Sequence, residues 1–145
     1  MNTAIHHMVK ACRAEEHPSL IAQMSSGWAV MGGSQFLRGY CLLLPDPVVP
    51  HLNAMEVSAR DRFLSDMAKL GDAVLAASGA LRINYSMFGN LEPALHAHVI
   101  PRYSDEPEDK RTAHPWAYDW NAAPQFNEQT HGVLLEKIRW YLLKK

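Results

Sequence analysis

The chain has 145 residues, of which 48% are hydrophobic and 20% charged, with a formal net charge of −1. That length and apolar content suit one packed domain over 1–145. With no excess of basic residues, the chain offers no surface for a nucleic-acid polymer or an anionic membrane, so any phosphate recognition must be local.

Met1–His7 lacks the basic start and apolar core of a signal peptide. Ile5, Met8, Val9 and Cys12 recur at the spacing of one helix face and predict a short amphipathic N-terminal helix. It should stop before His17-Pro18, because a residue ahead of proline avoids the α region. Leu20–Met24 and Trp28–Met31 read as strands joined by the Ser25-Ser26-Gly27 turn, and Gly32-Gly33-Ser34 breaks the chain again. Gly39–Leu44 is a third, apolar strand ending at Pro45. The stretch from Pro45 to Pro50 is rigid and non-helical.

Met55–Ala77 reads as the main helix. Phe63, Leu64, Met67, Leu70, Val74 and Leu75 form its apolar stripe, while Arg60, Asp61, Asp66, Lys69 and Asp72 decorate the remaining surface. Gly71 lies inside the helix, where it costs ~1 kcal/mol against alanine and permits close packing. Gly79 is a natural stop. Leu81–Met87 and Leu95–Pro101 complete five strands, the last closed by Pro101. Residues 104–126 are irregular, yet Trp116, Tyr118 and Trp120 are too aromatic for a disordered linker and should pack over the sheet or a partner. A C-terminal helix follows around Val133–Leu142, with Lys144 and Lys145 favourably placed at its end. The fold class is α+β: a five-stranded antiparallel sheet, one long helix and a C-terminal helix. No run reaches the ~18 apolar residues of a membrane span. Cys12 and Cys41 form no Cys-x-x-Cys motif and read as free thiols in a reducing, cytoplasmic setting.

The most informative stretch is His96-Ala97-His98. On a strand the two imidazoles share a face, with Leu95, Ala97 and Val99 on the other. Three uses are open: two half-exposed histidines with no role, a pair of metal ligands needing a third, or a nucleophilic imidazole tuned by its neighbour. No carboxylate pair suggests glycosidase chemistry, and neither Ser34 nor Ser86 lies in a Gly-x-Ser-x-Gly context. His6, His7, His17, His51, His114 and His131 share no motif and read as surface histidines.

The run from Ile83 to Tyr103 resembles the signature of the histidine-triad family of nucleotide hydrolases and transferases: alternating histidines with apolar spacers, a glycine turn before them and Pro-Arg after them. His96 matches the middle histidine and His98 the last, while Ala94 stands where the first belongs. Upstream, Phe36–Pro45 looks like the family's strand before its long helix. The chain is similar to the bacterial branch of diadenosine-polyphosphate-hydrolase-like proteins.

The resemblance implies attack by His96 on the α-phosphate of a dinucleoside polyphosphate or related nucleotide conjugate, through a nucleotidyl-histidine. His98 would assist the leaving group. Asn84, Gly89, Asn90 and Arg102 would contact phosphate, and Gly32, Gly33 and Ser34 would shape a ribose and base pocket. Arg102 otherwise reads as a solvated rim charge. The covalent step needs no metal and no cofactor, and the family's side-by-side homodimer is expected. Because Ala94 breaks the triad, a nucleotide-binding protein with weak or no catalysis is the alternative, and a zinc hydrolase on His96 and His98 the second.

Overall fold

The computed structural model describes residues 2–144. Helix α1 is Ala4–Arg13, opened by a capping box in which the Thr3 hydroxyl accepts the His6 N–H. Strands β1 (Leu20–Met24) and β2 (Gly27–Met31) follow, joined by the tight Ser25-Ser26 turn. Next come β3 (Cys41–Pro45), α2 (Val57–Ser78), β4 (Arg82–Ser86) and β5 (Ala97–Arg102). A single-turn helix, α3 (Glu108–Arg111), interrupts the 104–126 segment that the sequence marked only as irregular. Helix α4 (Glu128–Leu143) closes the fold, its first amides accepted by the Asn127 side chain. Lys144 caps α4 and lies over the Trp140 and Tyr141 rings. Lys145, the other basic residue expected there, and Met1 lie outside the described residues.

The five strands form one antiparallel sheet in the order β1-β2-β3-β5-β4. Alternation along the strands divides the core in two. Ala29, Met31, Cys41, Leu43, Ala97 and Val99 pack with Phe63, Leu70 and Val74 of α2 and Leu135 and Ile138 of α4. Trp28, Val30, Leu42, Leu44 and Ile100 pack on the opposite side with Ile5, Val9 and Cys12 of α1. Both faces are covered, so β2 and β3 are buried at every position and read as continuous apolar runs.

Several expectations meet the structure with adjustments. Gly71 does allow close packing: a Cβ there would sit 2.0 Å from the Tyr85 hydroxyl. Gly79 ends α2 in the left-handed conformation at φ 74°. Pro101 does not close its strand. The β3–β5 ladder ends at Cys41 opposite Val99, so Pro101 lies beyond it and faces only β4, where a missing N–H is tolerated. Asp66 is no surface decoration. It is 3% exposed and accepts hydrogen bonds from the Ser25 hydroxyl, the Ser26 hydroxyl and the Ser26 N–H at 2.7–2.9 Å, fastening the β1–β2 turn to α2. His131, expected on the surface, is buried on α4 and accepts the Asn127 N–H.

The 104–126 segment packs over its own sheet. Trp120 stacks on Phe36 with ring centroids 3.9 Å apart, and Tyr118 donates to Glu106. Replacing Asp66 with alanine leaves two serines and a backbone amide without their charged acceptor. Asp66→Ala should lower stability by about 2 kcal/mol, seen as a lower urea midpoint with little change in slope.

Candidate active site

His96 is the last residue before β5, and its partner two residues on is inside it. The chain reaches this point in an extended loop. The Leu95 N–H donates to the Val49 carbonyl at 2.8 Å, which ties the proline-rich Pro45–Pro50 segment to the entrance of β5. Leu95 and Ala97 turn into the α2 side of the core, so the two imidazoles turn the other way. Their ring centroids are 4.9 Å apart at an interplanar angle of 73°.

Each imidazole has a defined tautomer. His96 Nδ1 lies 2.8 Å from the Ala94 carbonyl oxygen. A carbonyl only accepts, so Nδ1 carries the hydrogen and Nε2 keeps its lone pair. The orienting group is backbone, and it survives the absence of a side-chain imidazole at position 94. Ala94 itself is 3% exposed and packed in the α1 side of the core.

His98 Nδ1 lies 2.6 Å from the Tyr40 hydroxyl. Burial pushes that phenol far above its ordinary range, so it keeps its proton and donates it. The hydrogen of His98 then sits on Nε2. Burial, helped by the neighbouring His96, lowers His98 to about 4. At neutral pH His98 is therefore an uncharged imidazole with an Nε2–H, and it stands beside the His96 ring, whose Nδ1 faces the Ala94 carbonyl.

The surrounding residues divide into those beside the pair and those elsewhere. A cavity of about 190 Å³ is lined by His51, Phe88, Gly89 and His96, among others. Gly89 adopts φ 66°, so its turn curls back past His96. Asn90 is exposed and lines neither this cavity nor the larger one described next. His51, read from sequence as a surface histidine, reaches the cavity because the Val49–Leu95 contact carries it there. The rigid proline run immediately before it was the available signal.

A second cleft of about 990 Å³ runs along β4 and is lined by Asn84, Ser86, Phe88, Arg102 and Trp116, among others. Ser86 pairs with His98 and Asn84 with Ile100 across the β4–β5 ladder, so Asn84 and Ser86 stand on the same face as His98.

Arg102 corrects the expectation of a solvated rim charge. It is 7% exposed, and Glu106 binds it through Nε and Nη2 at 2.9–3.2 Å. Nη1 donates to Asn84 Oδ1 at 2.9 Å and to the Ala113 carbonyl, and Nη2 also reaches the Lys110 carbonyl. With its donors spent on protein oxygens, Arg102 is a fastening for residues 106–113 and has none left for a phosphate. Burial pushes the Glu106 carboxyl up, but hydrogen bonds from Arg102, Tyr118 and the Tyr103 N–H outweigh it and hold the group below the usual carboxylate range.

Gly32, Gly33 and Ser34 are also re-employed. The Gly33 carbonyl accepts the Phe126 N–H, Ser34 bridges Gln125 and donates to the Trp120 carbonyl, and Gly32 lies under the Tyr40 ring. They anchor the 120–126 segment and line neither of these two clefts. Among the described residues no three His, Cys, Asp or Glu side chains converge as a metal cluster, and His96 and His98 have no third ligand of that kind.

Neither a family model nor a curated protein matches the sequence. Solved structures do match. A histidine triad protein from Marinobacter aquaeolei VT8 aligns with a TM-score of 0.76 at 16% identity, over 97% of this chain and 96% of that one. The chain has the histidine-triad fold. A Hit-like protein involved in cell-cycle regulation from Bartonella henselae, solved with an unknown ligand, aligns at 0.73 and 18% identity over 97% and 96%. A zinc-bound histidine triad family protein from Mycobacterium smegmatis aligns at 0.62 and 19% identity over 91% of each chain. On this fold His98 lies inside β5, His96 immediately before it and Ala94 two residues before His96.

An unfolded histidine takes its proton near ~6.5, whereas folded His98 does so at about 4. Its contribution to stability is therefore complete above the unfolded value and declines as pH falls from there toward 4. The His98 ring resonance in a proton–carbon spectrum should stay flat from neutral pH to about 5. A midpoint near the ordinary histidine value would show that solvent reaches the ring.

Proposed function

We propose that residues 1–145 act as one histidine-triad domain that transfers or hydrolyses nucleotidyl groups through His96. The observation that carries this is the 2.8 Å contact between His96 Nδ1 and the Ala94 carbonyl, which leaves an unprotonated Nε2 on a buried residue beside a cleft. In the first step Nε2 attacks the α-phosphorus of a dinucleoside polyphosphate or related conjugate. A phosphorus–nitrogen bond forms, and the bond to the leaving oxygen breaks with its electron pair. The imidazole becomes cationic, and the Ala94 carbonyl stabilises it through the Nδ1 hydrogen. The Nε2–H of His98 donates a hydrogen bond to the departing phosphate oxygen, which leaves as an anion. In the second step water attacks phosphorus, the phosphorus–nitrogen bond breaks, and the water's proton passes to solvent.

Phosphate contacts in this reading come from the Asn84 amide and the turn at Gly89, and no metal or cofactor takes part in the covalent step. Asn84 Oδ1 is committed to Arg102, so its amide N–H groups are the ones free to donate. Two buried, unbridged thiols, Cys12 and Cys41, fit a reducing, cytoplasmic setting. No described helix is long and apolar enough to cross a membrane.

The proposal extends to a homodimer joined at β4. The outer edge of β1 is covered, because Arg139 of α4 donates to the Leu20 and Ile21 carbonyls. β4 forms the opposite edge of the sheet, with Leu81, Tyr85 and Phe88 exposed along it. A free edge of this kind pairs readily with its own copy. Light scattering should give about twice the monomer mass of 16.3 kDa; the monomer mass at micromolar concentration would remove the dimer.

Chemistry is tested by a pulse with a dinucleoside tetraphosphate radiolabelled at the α-phosphate. The wild type should retain acid-labile, base-stable label, and His96→Ala should lose both label and turnover while binding falls much less. Wild-type turnover in His96→Ala would remove His96 from the reaction. Retained binding with no label on the wild type would leave the alternative, a nucleotide-binding protein without catalysis.

A further inference from the structure

A chain of polar side chains leads from the aromatic segment to the face that carries His98. Tyr118 donates to Glu106 Oε1 at 2.7 Å, Glu106 accepts from Arg102 Nε and Nη2, and Arg102 Nη1 donates to Asn84 Oδ1 at 2.9 Å. A guanidinium only donates, so the Asn84 atom turned to it is the oxygen and the amide nitrogen turns away. Asn84 pairs with Ile100 across the ladder and Ser86 with His98, so Asn84 and His98 are diagonal neighbours on one face. Such neighbours lie roughly 7–8 Å apart, a gap that two oxygens of one phosphate fill with a hydrogen bond on each side. The contact between Arg102 and Asn84 is internal to one chain. A second copy pairing along β4 would use backbone groups in the plane of the sheet, whereas Asn84 projects from its face.

Glu106 decides what kind of influence Arg102 exerts. A bare guanidinium would bind a phosphate directly, as a charge. Here Glu106 matches that charge, and the Lys110 and Ala113 carbonyls take further donors. What remains is the bond to Asn84. An amide whose oxygen accepts from a guanidinium is polarised, and its N–H groups donate more strongly. Its rotation is also blocked, because the flipped amide would set N–H against N–H. A loose asparagine presents either end to a phosphate, and its carbonyl end repels one. Asn84 held in this way presents donors alone.

We propose that Arg102 is a positioning residue for the phosphate: with its charge matched by Glu106, it holds Asn84 by the carbonyl oxygen and fixes a neutral double donor beside His98. This rests on the His96 reaction proposed above and gives a part in it to a residue that touches no substrate. Phosphate recognition next to His98 then relies on an oriented dipole in place of a cation. Tyr118 secures Glu106, so the docking of the aromatic segment and the orientation of the donor are linked.

Hydrolysis of a dinucleoside tetraphosphate by the full chain tests this. In Asn84→Asp a carboxylate still accepts from Arg102, so the thermal midpoint should be kept or raised. Its other oxygen meets the phosphate with like charge, and kcat/KM should fall about a hundredfold, further than in Asn84→Ala. Arg102→Lys keeps the charge and the pairing with Glu106 but loses the fork that also reaches Asn84. With Asn84 present it should lower kcat/KM about tenfold, and in the Asn84→Ala chain it should change nothing. Equal losses in both backgrounds, or wild-type kcat/KM in Asn84→Asp, would overturn the assignment. A nitrogen–proton spectrum gives a readout that needs no Arg102 variant. The Asn84 side-chain amide signals, identified by their loss in Asn84→Ala, should move when adenosine 5′-diphosphate is added. Signals indifferent to saturating diphosphate would also overturn it. The two proposals fail separately. Label on His96 after the radiolabel pulse, with Asn84→Asp as fast as wild type, removes the positioning and leaves the reaction. No label on His96, with Asn84 signals that respond to diphosphate, does the reverse.

Discussion

A cation placed under a sheet must be neutralised where it stands, and the Arg102 guanidinium sets that requirement for the whole active face. At 7% exposure it has no water to share its charge, so it draws in Glu106 and the carbonyls of Lys110 and Ala113. That obligation folds residues 106–113 back across the end of β5. Removing one partner from such a buried pair typically costs ~3–5 kcal/mol, which is a strong reason for a segment poor in regular structure to adopt a single path. Once this turn is in place, Tyr118 reaches Glu106, Trp120 stacks on Phe36, and Trp116 arrives against His98. The same guanidinium holds Asn84 by its oxygen and so determines which end of the amide is free.

The histidine pair depends on a different economy. Both rings are oriented by groups that any homologous backbone or core would supply cheaply: a carbonyl two residues back for His96, and a buried phenol for His98. Neither contact adds charge. His98 therefore stays neutral, because an imidazolium there would bear a desolvation penalty. A bare nitrogen next to an N–H is what nucleophilic attack on phosphorus and departure of an oxygen require. The alanine at position 94 removes an imidazole from this arrangement without removing the oxygen that aligns the nucleophile, which is why the missing triad histidine is compatible with the chemistry proposed.

Sheet topology explains why the two cavities adjoin. β4 and β5 are neighbours, so the face carrying His98 continues directly into Ser86 and Asn84. The proline-rich link between β3 and α2 runs past the start of β5 and delivers His51 to His96 from the other side. The histidine pair thus lies between a rigid link and an edge strand, with the aromatic segment packed against His98.

Much of this was legible in the chain itself, and for local reasons. Strand and helix identity followed from periodicity, the tight β1–β2 turn from two serines before glycine, and the end of α2 from Gly79. The shared face of His96 and His98 followed from alternation alone, as did the inward course of Leu95, Ala97 and Val99. Tertiary structure decided what depends on partners distant in sequence. Asp66 reads as a surface charge until the β1–β2 turn, 40 residues away, supplies its donors. Arg102 reads as a rim cation until Glu106 folds over it, and nothing in Gly32-Gly33-Ser34 foretells that 120–126 docks there. His51 has no motif, and only the Val49–Leu95 contact brings it to the site. In each case the side chain's role is set by whether burial strips its water and which oxygen or nitrogen replaces it. A linear pattern of residue types records neither.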